Sequence, residues 1–174
     1  MTIIRRCFLW AVAALVLTLT GPADAKPVPA ELQPVGARSL LTVKAKGVQI
    51  YKSVADADGR FKWMLEAPLA ELIDGHGKVI HHYAGPSWEA LDGSKVAREA
   101  ETPVKVVAAP NAAADIPWLL VKVAADPTPG VLSQVGFVQR IETHGGQAPV
   151  VAPIRADTKV GVPYTATYVF FAKP

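Results

Sequence analysis

Tyr164-Thr165-Ala166-Thr167-Tyr168-Val169-Phe170-Phe171 is the stretch whose reading decides the fold class. Tyr164, Ala166, Tyr168 and Phe170 occupy every second position. In an extended chain successive side chains point to opposite faces, so these four share one face and predict a strand with one side turned to a core.

The same period of two recurs along the chain. Leu41, Val43 and Ala45 alternate with Thr42, Lys44 and Lys46; Gly47 interrupts, which predicts a bulge, and Val48-Gln49-Ile50-Tyr51 resumes. Phe61, Trp63 and Leu65 alternate with Lys62, Met64 and Glu66, and the turn Ala55–Gly59 joins the two runs into a hairpin. Pro68 is expected to close that strand, with Leu69–Ile73 too short to assign. Asp58-Gly59, Asp74-Gly75 and Asp92-Gly93 repeat one turn chemistry and predict a meander. Lys95–Pro103 reads as a strand or a short amphipathic piece, and Val104–Val107 as a strand. Ile116–Val123 is the most apolar run outside the leader, with Leu119, Val121 and Val123 on one face and Pro117 at its start, where a missing N–H is tolerated. Val135, Phe137 and Ile141 alternate with Gly136, Val138 and Arg140. No window carries a helical stripe. About seven to nine short strands separated by turn residues predict an all-β, mostly antiparallel, single-domain sandwich or barrel.

The ends divide the chain into three. Residues 1–25 read as a cleaved signal peptide: Arg5 and Arg6 form the positive region, Phe8–Leu19 the apolar region, and Ala23-Asp24-Ala25 the small-x-small cleavage pattern. The apolar run is shorter than the ~20 residues of a membrane-spanning helix, so no integral membrane protein is expected after cleavage. Arg5-Arg6-Cys7-Phe8-Leu9 also resembles a twin-arginine signal, but Ile4 and Trp10 depart from it, which favours general secretion to the periplasm or the exterior. Residues 26–38, with Pro27, Pro29 and Pro34, read as an extended lead-in, and 39–174 as the β domain.

Charge and cysteine content exclude several function classes. Without Arg5, Arg6 and Asp24, 16 basic and 14 acidic side chains remain, interspersed, which is no nucleic-acid footprint. Cys7 leaves with the leader, so the mature chain has no disulfide and no thiolate ligand or nucleophile. Of the four histidines, His81 and His82 are adjacent and point to opposite faces of a strand. No zinc-ligand spacing is present, and neither a metal nor another cofactor is expected.

His82-Tyr83-Ala84-Gly85-Pro86-Ser87-Trp88-Glu89 with Asp92-Gly93-Ser94, then Pro117-Trp118-Leu119-Leu120, then Gln139-Arg140 with Thr143 and Gly145-Gly146, and finally Pro163-Tyr164-Thr165-Ala166 with Tyr168 and Phe170, follow one another in the order of a known family. From about Val28 to Phe171 the chain resembles the secreted bacterial and fungal proteins grouped as domain of unknown function 3455. The resemblance implies export and one compact domain, and no settled activity. A dehydrogenase-type label on some fungal relatives finds no support here, since no Gly-x-Gly-x-x-Gly joins a strand to a helix. Relatives often carry paired cysteines near the positions of Ser53 and Ala152; both are absent from this chain.

The segment 82–94 concentrates titratable and aromatic groups around a Gly-Pro corner, which makes His82, Tyr83, Trp88, Glu89 and Asp92 the candidate ligand contacts, with Arg140 approaching from another strand. Trp63 and Trp118 are expected in the core, and Trp88 at a rim or plugging the end of the fold. The first functional reading is a non-catalytic module that binds a small molecule or carbohydrate through this loop. On that reading Trp88→Ala abolishes binding and leaves unfolding nearly unchanged. A second is a hydrolase or isomerase with His82 and Glu89 or Asp92 as acid–base groups. A third is an envelope or surface structural protein in which His82 hydrogen-bonds a loop carbonyl to hold the corner. The oligomeric state is left open.

Overall fold

The alternating runs become nine strands in a computed structural model that describes residues 26–174; the signal peptide read over 1–25 lies outside the described residues. In chain order they are β1 Ser39–Ala55, β2 Phe61–Ile73, β3 Val79–Tyr83, β4 Ser87–Ala90, β5 Lys95–Arg98, β6 Lys105–Val107, β7 Trp118–Ala125, β8 Val135–Gly145 and β9 Lys159–Ala172. Every pairing is antiparallel, and the order β5-β4-β3-β2-β1-β9-β8-β7-β6 is closed by a further pairing of β5 with β7. Eight strands therefore form a barrel, and β6 lies outside it on β7. Among the described residues no α-helix is present.

Closure sends alternate side chains inward. Val43 and Ala45 of β1, Leu72 of β2, Ile80 of β3, Trp88 of β4, Val96 of β5, Val121 and Val123 of β7, Val138 of β8, and Tyr164, Ala166, Tyr168 and Phe170 of β9 fill the interior. A second apolar cluster lies outside the barrel. Leu32, Ala109, Trp118, Leu120 and Ile141 pack there, with Val28 and Val107 against them. The lead-in is thus a cover: one 3-10 turn, Ala30–Leu32, buries Leu32 completely, and Gln139 Nε2 donates to the Leu32 carbonyl at 2.7 Å.

Several expectations are corrected by the register. Gly47 marks no bulge. It pairs in sequence with Ala70 and Tyr164, and the irregularities of β1 fall between Ser39 and Leu41 and between Ile50 and Tyr51, the latter opposite Glu66. Gly47 is required by closeness, because a Cβ there would overlap Leu69 O and Ala70 Cβ. Pro68 does not end β2, which continues to Ile73; β3 pairs only with Ala70–Ile73, so at Pro68 the strand has a neighbour on one side alone. In β8, a register shift between Val135 and Phe137 puts Val135, Val138 and Arg140 on the inner face and leaves Gln139 and Ile141 for the outer cluster. Trp118 is buried in that outer cluster, and Trp63 is only half-buried, its Nε1 donating to the Val151 carbonyl at 2.9 Å. Ser53, the register partner of Trp63, is buried with a hydroxyl that has no partner among the described residues.

Of the three Asp-Gly pairs, Asp58-Gly59 and Asp92-Gly93 carry a left-handed glycine, and Asp74-Gly75 does not. Asp56 Oδ1 accepts from the amides of Asp58 and Arg60, Asp74 Oδ1 accepts from those of His76 and Lys78, and the left-handed residues are Gly59 and Gly77, three positions after each aspartate.

Gly47→Ala is expected to destabilise the protein by about 1–3 kcal/mol in urea unfolding, because the overlap is with backbone and a neighbouring Cβ. Gly75→Ala, where a Cβ meets nothing within 4 Å, is expected to stay within about 0.5 kcal/mol of wild type.

Candidate functional site

The segment 82–94 is not one loop. It is the end of β3, a turn with a cis Gly85–Pro86 bond, the whole of β4 and the turn into β5. Its side chains part company accordingly. In the β3–β4 ladder His82 faces Trp88 and His81 faces Glu89, so His82 and Trp88 point inward while Glu89 points outward. Tyr83 Oη donates to Glu89 Oε2 at 2.5 Å on the outside, with Lys95 Nζ 5.1 Å from the centre of the Tyr83 ring.

Asp92 sits at the other end of β4. Its Oδ1 accepts from the amide and hydroxyl of Ser94, and its Oδ2 from the Val131 amide at 2.8 Å, while Ser94 Oγ accepts from Leu132 N at 3.1 Å. The Ser94 hydroxyl and these amides hold the Asp92 carboxyl below its usual range. This bonding ties the β4–β5 turn to the β7–β8 turn and seats Leu132, fully buried, in that end of the barrel. His82 therefore has neither Glu89 nor Asp92 within reach, and the acid–base pair is not assembled.

At the opposite end the interior opens into a cavity of about 260 Å³. His82, Trp88, Arg140, Gln49 and Tyr168 line it, with apolar wall from Pro68, Pro86, Leu119 and Val121. Trp88 is no rim residue: it is 1% exposed, stacked on His82 at 4.6 Å with planes 6° apart, and it meets Tyr168 and Phe170 edge-on. Nδ1 of His82 lies 2.9 Å from the Ser87 carbonyl. A carbonyl only accepts, so Nδ1 carries the proton. Burial is the main force on the ring and lowers its pKa from 6.5 to about 4; the Ser87 carbonyl opposes this, and the charge of Arg140 adds to it. His82 is a neutral, hydrogen-bonded stacking partner at neutral pH.

Arg140 is the unusual member. It is 8% exposed, it donates to the Pro117 carbonyl from Nε at 3.3 Å and Nη2 at 2.9 Å, and no ion pair among the described residues includes it. The single carboxylate in the cavity lining, Glu66, is engaged at the rim by Lys159 at 2.8 Å. Arginine keeps its proton under all ordinary conditions, so this charge is buried without a counter-ion among the described residues. Two residues of the same lining carry a buried donor with no acceptor among the described residues, Gln49 Nε2 and Trp88 Nε1. Tyr168 Oη has Tyr164 Oη as its partner at 3.2 Å, and burial raises the Tyr164 pKa far above its ordinary value.

Gln49 stands in the sequence reading only as a strand residue, and Tyr168 as a strand residue within the family motif. Gln49 carries a signal nonetheless, because the alternation Val43, Ala45, Gly47, Gln49, Tyr51 puts an amide on the core phase.

A larger open depression of about 960 Å³ lies outside the sheet, where Lys44, Glu71, Glu142, Thr165 and Thr167 contribute. Glu142, at φ 49 in a β8 bulge, accepts from Lys44 at 3.0 Å and from Thr167 at 2.5 Å, while Lys46, Glu71 and His144 are exposed to solvent. Lys44 and Glu142 are paired, Lys46, Glu71 and His144 are hydrated, and the buried Asp115 accepts from the Gly145 amide at 2.7 Å, so volume alone does not make it the better candidate. Among the described residues no three His, Cys, Asp or Glu side chains cluster.

Fold and site define an antiparallel β-barrel with a small, donor-lined cavity at one end. The chain belongs to the family described as Protein of unknown function (DUF3455), whose model matches residues 34–172. No curated protein and no solved structure matches it.

Two outcomes follow. Trp88→Ala is expected to cost about 3–5 kcal/mol in urea unfolding, the range for emptying a buried aromatic site. His82 binds its proton less readily in the folded protein than in the unfolded chain, so its contribution is in place above pH 6.5 and is lost as the pH falls through about 4. Unfolding measured at pH 7 and pH 4 is expected to show roughly 3 kcal/mol of loss from this group, absent in His82→Asn.

Proposed function

We propose that the protein is an exported, non-catalytic binding module that takes a small ligand into the cavity between His82, Trp88, Arg140, Gln49 and Tyr168. One observation carries the reading. Three buried side chains with unspent hydrogen-bond donors, Arg140, Gln49 and Trp88, line the same space. Such groups are unfavourable in a fold unless something meets them, and residues chosen for stability alone would be apolar at those positions. Export rests on the leader pattern in residues 1–25.

A small molecule suits the cavity better than a carbohydrate stacked on Trp88, because that indole is buried, with His82 stacked on one face and Tyr168 and Phe170 in edge-to-face contact with it. The hydrolase or isomerase reading loses its acid–base pair, and His82, held as a neutral ring by its burial, is a weak base.

Gln49→Met separates a binding role from a structural one. Replacing an unpartnered amide by an apolar side chain of similar length is expected to leave stability unchanged or raise it by about 1 kcal/mol. A loss of that size in urea unfolding would assign Gln49 to holding the fold and remove it from the site.

A further inference from the structure

Resting on the binding reading above, we infer that the ligand is a small organic monocarboxylate, held by Arg140 with Gln49 Nε2 and Trp88 Nε1 and with its apolar part against Pro68, Pro86, Leu119 and Val121. The sign of the ligand follows from the lining. Trp88 Nε1 and the guanidinium only donate, so the group that meets them must accept. The lining contributes one positive charge and no free negative one, since Glu66 is bound to Lys159, so a single negative charge restores neutrality inside the barrel.

A carboxylate matches a planar guanidinium through two parallel hydrogen bonds. A doubly charged oxyanion would bring one more charge than this cavity neutralises. The walls argue against a bare inorganic ion as well, because prolines, aliphatic side chains and aromatic rings form most of the lining and suit a hydrocarbon portion. About 260 Å³ falls below the usual size of pockets for drug-sized molecules and limits that portion to a few carbons or a single ring.

The test is a nitrogen–proton NMR titration of the purified protein, reading the Trp88 indole N–H, with sodium benzoate, sodium butanoate, benzamide and sodium phosphate as probes. The Trp63 indole, bonded to Val151, serves as internal reference. Saturable shifts of the Trp88 signal with benzoate or butanoate are expected. Benzamide and phosphate should bind at least about tenfold more weakly, and Arg140→Gln should weaken benzoate by about thirtyfold or more, as for removing one member of a buried charge pair. Should Arg140→Gln not fold, Gln49→Met takes its place, with a loss of about fivefold or more expected for one hydrogen bond. Equal binding of benzamide and benzoate would overturn the carboxylate and leave the cavity a binding site. Phosphate binding as tightly as benzoate would replace the organic acid by an inorganic anion. No shift with any probe would overturn the inference, and Gln49→Met destabilisation would then overturn the binding reading separately.

Discussion

Three register pairs, Val96 with Ala125, Ala97 with Ala124 and Arg98 with Val123, turn a row of strands into a barrel, and the rest of the molecule depends on that closure. An open sheet of the same strands would leave its inner phase facing a second layer or water. Closed, it commits every inward residue to a sealed interior, polar ones included. His82 meets the constraint by staying neutral and donating to the Ser87 carbonyl. Arg140 has no such option, because its charge is permanent and its protein partner is a single carbonyl group. The proposed ligand is the answer to that imbalance.

The two ends of the barrel divide the work. At one, Asp92 and Ser94 fasten the β4–β5 turn to Val131 and Leu132, and Leu132 fills the space. At the other, the β3–β4 turn at Gly85–Pro86, the bulged part of β2 and the start of β7 surround the cavity. The His82–Trp88 stack belongs to both worlds, since it is core by burial and forms part of the cavity lining. A site built this way sits on strands whose geometry the whole sheet fixes, and so its donors are held in place before a ligand arrives.

Much of the fold is legible from alternation alone. The face of β9, the run Ile116–Val123 and the hairpin after Ala55 follow from local period and turn residues. What the chain does not announce is long-range. Nothing local says that Lys95–Arg98 finds Val123–Ala125, which is the difference between sandwich and barrel. Nor does Gly47 reveal that its missing Cβ makes room for Leu69 and Ala70 across the ladder. The candidate site was half legible for the same reason. His82, Trp88 and Arg140 do meet around one cavity, whereas Glu89 is turned outward by strand phase and Asp92 is carried off to the other end by the length of β4. Gln49 was hidden in plain view as an amide on a core phase.

The central claim is that an acceptor-bearing anion completes the Arg140 cavity. The most direct measurement is a high-resolution crystal structure of the protein grown with sodium benzoate. The account predicts carboxylate density within hydrogen-bond distance of the Arg140 guanidinium and at least one of Gln49 Nε2 and Trp88 Nε1, with the ring against Pro68 and Val121. Ordered water alone in contact with those three groups, at benzoate concentrations that saturate the crystal, would contradict it.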